Sequence, residues 1–256
     1  MSPSVPDRLA AERRCRVGLL AFGDSITNGG GELQWGVALQ SWASWTARAL
    51  GVPYSGYAVD GATVAGVVGE QIPAFTHRTD PSARYDVGCL YIGVNDVRMP
   101  DWDRARFATG HERALAFLAQ RCDRVLTATA PLRLGVPRVG AEMGQLNAIV
   151  RSGASAHRAL VMDLSDFGAR NHVMADRVHP TAFGQIAIAR RALAVLAADG
   201  LAVRVDPASL IAYETSRSGR LRGDVTYVYR SLRERIRAGL GVRAGLRSWV
   251  PRRPTP

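Results

Sequence analysis

The chain has 256 residues, of which 47% are hydrophobic, so it can bury a large core and is not a disordered protein. Its formal net charge is +11, and all 33 basic residues are arginine. Residues 201–256 carry 12 arginines and four acidic residues, so the basic character belongs mainly to the C-terminal part. The overall charge therefore excludes little about partners, and only this asymmetry is informative.

The first residues and the cysteines bear on the cellular compartment. The first fifteen residues are rich in charge and lack the apolar core of a signal peptide, and no later apolar run reaches the ~20 residues of a membrane span. Cys15, Cys89 and Cys122 show no spacing typical of a zinc or redox motif. We therefore expect a cytoplasmic protein whose thiols are buried in a reducing compartment.

Apolar runs of strand length predict five strands. The first, Val17 to Phe22, is fully apolar, as a central strand of a parallel sheet should be, and Gly23 ends it. The other four runs also end at polar or turn-forming residues: Val52 to Val59, Val87 to Val94, Arg124 to Ala130 and Ala159 to Leu164.

Segments with apolar residues at helical spacing separate these strands. In chain order they are Trp35 to Leu50 (with Leu39 and Trp42), Val64 to Gln71, Phe107 to Leu118, residues 139–156 and Thr181 to Ala198. Gly51 is typical of a helix C-cap, and Pro73 is expected to stop the second helix, with a loop over residues 76–84. The alternation predicts a three-layer α/β/α sandwich with a five-stranded parallel sheet. We expect a catalytic domain over residues 1–200 and an extension over residues 201–256.

Polar residues from distant segments are predicted to meet at one rim of this sheet. Ser25, Gly61 and Asn95 each follow a predicted strand, and the carboxyl ends of parallel strands share one edge. Asp176 and His179 follow the fifth strand and immediately precede the last helix of the domain. The same rim is therefore expected to carry all five residues.

These residue types suit acyl transfer. A serine hydroxyl needs a neighbouring base and an oriented imidazole, so Ser25 is the candidate nucleophile, His179 the base and Asp176 its orienter. The N–H groups of Ser25 and Gly61 and the amide of Asn95 can form an oxyanion hole. Each residue also has a purely structural interpretation as a cap, turn former or packing residue. Four other histidines compete with His179, namely His77, His111, His157 and His172, and His111 is expected to be structural.

Four sequence blocks resemble those of the GDSL family, the SGNH hydrolases. They are GDSIT around Ser25, VDGAT with Gly61, GVND with Asn95, and DRVHP with Asp176 and His179. The resemblance spans residues 17 to about 198 and implies a flavodoxin-like sandwich with esterase, lipase, thioesterase or carbohydrate-deacetylase activity. It implies the same five residues in the roles given above, a small-molecule ester substrate, and neither a metal nor an organic cofactor.

The chain departs from the family pattern in its second block. The family commonly has an asparagine five residues before the glycine, where this chain has Gly56, which puts part of the hydrogen bonding around Gly61 in doubt. The glycines at 29–31 also make the loop after Ser25 unusually free. Some side chains could line the pocket, namely Trp35, Tyr57, Arg98, Met99 and Trp102. For the aromatic ones, core packing is the favoured interpretation.

The arginine-rich extension contains an amphipathic pattern over residues 224–240. Asp224 is expected to cap a helix whose apolar stripe comprises Val225, Tyr229, Leu232, Ile236 and Leu240, with arginines largely off the stripe. The favoured interpretation is packing on the catalytic domain or self-association with a second subunit. An anionic membrane surface is the main competitor, and nucleic acid is disfavoured because no binding motif accompanies the arginines.

The sequence thus predicts a serine ester hydrolase of the esterase, lipase or deacetylase type. An acyltransferase that uses the same acyl-enzyme is an alternative, since only the acceptor, water or an alcohol, separates the two. A non-catalytic binding protein that acts through its basic tail is a second alternative. The complete set of five site residues favours the enzyme.

Overall fold

The computed structural model describes residues 16–30, 40–135, 140–169, 171–211 and 217–239. Several residues on which predictions rest lie outside these ranges, namely Cys15, Gly31, Trp35, Leu39 and Leu240, as does position 139 at the start of a predicted helix.

A parallel sheet of five strands forms the centre of the described structure. The strands are β1 (Leu19–Gly23), β2 (Tyr54–Gly56), β3 (Tyr85–Tyr91), β4 (Cys122–Ala128) and β5 (Leu160–Met162). Their order is β2-β1-β3-β4-β5, and every pairing is parallel. β1 is fully buried because it is central and covered on both faces, as its apolar sequence predicts. The predicted five parallel strands are confirmed, with ends shifted by a few residues.

Helices cover both faces of the sheet. They are α1 (Ser25–Asn28), α2 (Trp42–Leu50), α3 (Val64–Gly66, a π-helical segment Val67–Gln71, and Ile72–Arg78), α4 (Arg104–Arg121), α5 (Glu142–Ala156), α6 (Ala182–Ala198) and α7 (Arg217–Gly239). α2 packs against α6, whereas α4 packs against both α3 and α5, so two helical layers enclose the sheet. The predicted α/β/α sandwich is thereby confirmed.

The prediction that Pro73 stops a helix is wrong. α3 continues to Arg78 because the turn before Pro73 is π-helical, and the N–H of Ile72 donates to the carbonyl oxygen of Val67, five residues back. In an α-helix a proline ring would clash with the carbonyl four residues earlier, and the wider π turn relieves that clash. Residues 76–78 therefore belong to the helix and not to the predicted loop.

An apolar core is buried between the sheet and its helices. Trp42 and Phe75 are fully buried, and the Phe22 and Phe75 rings meet edge to face with centroids 5.9 Å apart. Cys89 and Cys122 are buried, as predicted, and burial raises the pKa of both thiols.

The extension differs from its prediction in two ways. α7 begins at Arg217, so Asp224 lies within the helix and does not cap its start. The stripe residues Val225, Tyr229, Leu232 and Ile236 are each at least 50% exposed, so the stripe is not packed on the α/β/α sandwich. Tyr227 and Ser231 of this helix instead line a cavity of the sandwich. Within the described ranges, no helix has the length and apolar character needed to cross a bilayer.

Candidate active site

The candidate site lies where the strand order reverses. The chain runs from β1 outward to β2 and then returns to β3 on the other side of β1. In open α/β sheets this switch point leaves a crevice at the carboxyl ends of the strands, where ligands bind. Ser25 follows β1, Gly61 follows β2 and Asn95 follows β3, so all three border this crevice.

A tight turn places Ser25 at the start of α1. A Cβ atom at position 23 would lie 2.5 Å from the carbonyl oxygen of Tyr91, so only glycine fits at this end of β1. The side chain of Asp24 caps α1 by accepting a hydrogen bond from the N–H of Ile26 at 2.9 Å. Ser25 is the first residue of the helix and remains partly exposed.

Ser25, His179 and Asp176 form one hydrogen-bonded chain. Ser25 Oγ lies 3.0 Å from His179 Nε2, and His179 Nδ1 lies 2.7 Å from Asp176 Oδ2. The second carboxylate oxygen, Asp176 Oδ1, accepts the N–H groups of Val178 at 2.9 Å and of His179 at 3.1 Å. Arg177 adopts φ +57°, a left-handed conformation that lets this short loop fold back on the carboxylate. The predicted residues are therefore brought together in the order that nucleophilic catalysis requires.

The electrostatic environment within this group of three residues favours the charged form of His179. The hydrogen bond that His179 Nδ1 donates to the carboxylate of Asp176 raises the pKa of His179 above its ordinary value, although partial burial opposes this. Partial burial would raise the pKa of Asp176, but the hydrogen bonds from His179 and Val178 outweigh it and leave that pKa below its ordinary value. The imidazolium that forms when His179 takes a proton is thus stabilised by a carboxylate in direct contact.

The three candidate oxyanion donors surround the crevice. The N–H of Ser25 belongs to the first turn of a helix, whose N–H groups have no partner within the helix. Gly61 has φ +75°, and the space where a Cβ would project is open. The amide of Asn95 uses one hydrogen for the carbonyl oxygen of Ala62, which leaves the other available.

This chain has Gly56 where the family commonly has an asparagine, so other hydrogen bonds hold the turn at Gly61. A Cβ at Gly56 would meet the hydroxyl oxygen of Tyr54 at 2.6 Å, so the tyrosine occupies that space. Asn28 of α1 donates instead to Asp60 Oδ1 at 2.9 Å, directly before Gly61. The turn is thereby anchored to the helix that carries Ser25.

The competing histidines lie elsewhere. His77 is exposed on α3, and His157 follows α5. His111 is buried in α4 beside Thr127, as expected for a structural residue, and burial lowers its pKa to about 4. His172 stacks on the ring of Phe167 with centroids 5.6 Å apart. Among the described residues, His179 is the histidine that contacts Ser25.

Two buried glutamines that sequence reasoning missed hold the Ser25 turn. Gln71 is 3% exposed, and its amide accepts from the N–H of Gly23 at 3.0 Å and donates to the carbonyl oxygen of Gly23 at 2.8 Å. Gln185 is fully buried, accepts from the N–H of Trp42 at 2.8 Å and donates to the carbonyl oxygen of Ile26 at 3.0 Å. A polar residue within an apolar helix stripe is the signal that could have identified both.

Two buried carboxylates beside the site were also missed as functional candidates. Asp24 is fully buried, and burial raises its pKa to about 7. In the described part of the chain, its Oδ2 atom has no hydrogen-bond partner. Asp96 accepts the N–H of Val64 with both oxygens, and burial raises its pKa to about 6. Asp24 is adjacent in sequence to Ser25, and Asp96 is adjacent to Asn95. This adjacency is the signal by which sequence analysis could have identified both aspartates.

A cavity of about 880 Å³ lies next to residues 176–180, the loop that carries Asp176 and His179, and is lined by neither Ser25 nor His179. Its lining includes Ile26, Phe167, Val178, Pro180 and Tyr227.

The residues that the sequence suggested as pocket-lining differ from one another in where the structure places them. The Tyr57 ring lies 5.4 Å from Phe75 and the Trp102 ring 5.4 Å from Phe107, so both belong to core packing, as favoured, while Met99 is half exposed. Over the ranges that the structure describes, no three His, Cys, Asp or Glu side chains group as metal ligands would.

The chain matches one family model and many solved structures. The model of the GDSL-like lipase/acylhydrolase family matches residues 21–186. Comparison with curated proteins gives no sequence match. LAE5, an alpha/beta hydrolase enzyme from the metagenome of Lake Arreo in Spain, is 20% identical with a TM-score of 0.56, over 71% of this chain and 95% of its own.

A second similar structure is that of Axe2, an acetylxylan esterase from Geobacillus stearothermophilus. It is 19% identical with a TM-score of 0.54, over 70% of this chain and 93% of its own. Three further structures are of catalytic mutants of Axe2 in which a serine, an aspartate or a histidine is replaced by alanine. At this level of identity, these structures show a shared fold.

Proposed function

The chain belongs to the GDSL-like lipase/acylhydrolase family and is an ester hydrolase of the SGNH type. We propose that it cleaves carboxylic esters through a covalent acyl-enzyme on Ser25. His179 is the general base, and Asp176 orients it. The 3.0 Å contact between Ser25 Oγ and His179 Nε2 carries this proposal, because the nucleophile already lies within proton-transfer distance of its base.

In the first half-reaction, Ser25 Oγ attacks the ester carbonyl carbon while its proton passes to His179 Nε2. The carbonyl oxygen becomes an oxyanion that accepts hydrogen bonds from the N–H groups of Ser25 and Gly61 and from the amide of Asn95. When this intermediate collapses, the bond to the alcohol oxygen breaks. The alcohol leaves with the proton that His179 held, and the acyl group remains on Ser25.

In the second half-reaction, water replaces the alcohol. His179 Nε2 takes a proton from the water as its oxygen attacks the acyl carbon, and the same three donors stabilise the second oxyanion. Collapse breaks the bond to Ser25 Oγ, which recovers its proton from His179, and the carboxylic acid leaves. Throughout, Asp176 keeps Nδ1 protonated and stabilises the imidazolium, while remaining ionised itself.

Carbohydrate acetyl esters belong in the substrate panel. Axe2 is described as an acetylxylan esterase and as an acetyl-xylooligosaccharide esterase, and its fold is shared by this chain. We therefore propose to compare p-nitrophenyl esters of increasing acyl length with acetylated xylooligosaccharides. Adding an alcohol acceptor to the same assays separates hydrolysis from acyl transfer, because a transferase would form a new ester in place of the acid.

The test of the nucleophile is covalent labelling. A serine-directed phosphonate should add one group per chain in the intact mass spectrum, and Ser25→Ala should abolish both labelling and turnover, with losses on the order of 10⁶ in kcat. Ser152→Ala, which alters an exposed serine on α5, is the matched control and should behave as the wild type. A folded Ser25→Ala variant with undiminished turnover would refute the assignment.

A further inference from the structure

α7 presents a row of large apolar side chains to solvent. Leu221, Val225 and Leu232 are 66%, 62% and 56% exposed, and Val228, Tyr229 and Ile236 are similarly exposed. At 100° per residue, these six positions fall within an arc of about 100° of the helix. Exposing a continuous apolar stripe of this length is unfavourable in water and marks an interaction surface.

The opposite side of α7 rests on the catalytic domain. Thr226, Tyr227 and Ser231 are only partly exposed, and Tyr227 and Ser231 line the cavity that is also bounded by Val178 and Pro180. In the helical register, these residues lie away from the apolar stripe. The helix therefore contacts the domain through its more polar side, next to residues 176–180, and its apolar stripe faces outward.

Arginines border this stripe. The 23 residues of α7 include seven arginines and two acidic residues. In the helical register, Arg222 and Arg233 follow one edge of the stripe, whereas Arg217 and Asp224 border the other edge, and all four residues are exposed. Long arginine side chains at such positions can keep their stems on an apolar surface while their guanidinium groups reach an anionic layer.

We propose that α7 binds in the plane of an anionic membrane surface, with its apolar stripe in the acyl region and its arginines at the phosphate groups. A second copy of the chain is a poorer occupant, because two such helices would bring arginine-lined edges together where paired helices need opposite charges. Nucleic acid is also a poorer occupant, because phosphate contacts leave six large apolar side chains in water. The proposal does not depend on the esterase mechanism.

The experiment is co-sedimentation of the full-length protein with vesicles of phosphatidylcholine alone or mixed with phosphatidylglycerol. We expect binding to the anionic vesicles that weakens as salt rises above ~0.1 M, where exposed charges are screened. Arg222→Gln combined with Arg233→Gln should weaken binding roughly 25-fold, at roughly fivefold per arginine. Val225→Ser combined with Leu232→Ser should abolish measurable binding.

The matched controls are Arg113→Gln, an exposed arginine on α4, and Val203→Ser, an exposed apolar residue after α6. Both should bind vesicles as the wild type does, and every variant should keep the wild-type melting temperature and the hydrolysis of soluble esters.

Four results would overturn the proposal. These are no vesicle binding by the full-length protein, binding unaffected by the Val225 and Leu232 changes, a dimer that those changes dissociate, or salt-sensitive binding of DNA or RNA in place of vesicles. Loss of esterase activity on its own would instead count against the proposed function.

Discussion

Asn95 donates a hydrogen bond from its side-chain amide to the main-chain carbonyl oxygen of Ala62 over 2.9 Å. The next residue, Asp96, accepts the N–H of Val64 at 3.0 Å and 3.1 Å with its two carboxylate oxygens. The turn after β3 thus holds the turn after β2 at two adjacent points. Gly61 and the second hydrogen of the Asn95 amide are thereby fixed relative to one another, which is the preorganisation that an oxyanion hole needs.

Asn95→Ala should lower kcat by about 10²–10³ with little change in KM, because in the proposed mechanism the amide acts on charge that develops only in the transition state. Steady-state kinetics on a p-nitrophenyl ester measures this split. Asn28→Ala is the matched control, since it removes the hydrogen bond to Asp60 on the same turn without removing an oxyanion donor, and it should cost much less. An effect on KM alone would assign Asn95 to ground-state binding.

The pH profile should report the contact between Asp176 and His179. Only neutral imidazole can accept the Ser25 proton, and the hydrogen bond that His179 donates to Asp176 raises the pKa of His179. The value of kcat/KM should therefore rise with pH along a limb whose midpoint lies above the ordinary value of about 6.5. Asp176→Ala should move this midpoint to lower pH and lower the plateau by up to ~10⁴. A limb that stays in place would show that another group titrates.

The buried carboxyl of Asp24 should make stability depend on pH. Burial raises its pKa from 3.8 to about 7 in the folded state, so the folded chain holds a proton that the unfolded chain has released in this window. Stability should therefore fall as pH rises from about 4 to about 7, by an amount on the order of a few kcal/mol. Asp24→Asn should reduce this dependence in urea unfolding measured at several pH values, and the part that remains below about pH 6 belongs to Asp96. Asp103→Asn, at the exposed cap of α4, should leave it intact.

Replacing Gln185 should weaken both the fold and catalysis. Gln185→Leu leaves the N–H of Trp42 and the carbonyl oxygen of Ile26 without their buried partner, at a cost of about 1–3 kcal/mol for each group. Because Ile26 follows Ser25 directly, kcat should also fall. Thermal unfolding and ester hydrolysis measure the two effects. Gln120→Leu, on the exposed side of α4, should change neither, and equal effects at both positions would contradict the role given to Gln185.

Much of the architecture and of the candidate site could be predicted from local sequence patterns. Strand and helix periods depend on which neighbouring residues are apolar, so they identified the five strands and the α/β/α layers. Ser25, Gly61 and Asn95 each come within five residues after the end of a strand, and parallel strands end at one edge, so their convergence follows from their positions. The contact between Asp176 and His179 also follows from the sequence, since they stand three positions apart in a tight turn.

Only the tertiary structure decided which polar side chains are buried and which apolar ones are not. Gln71 and Gln185 hold the Ser25 turn from 48 and 159 residues away, and no local period encodes such a partner. The π turn that admits Pro73 likewise depends on how α3 packs. The apolar stripe of α7 predicted burial on the domain, yet the helix rests there through Tyr227 and Ser231. Periodicity shows that a helix has two faces, but contacts with the remaining chain determine which of them is covered.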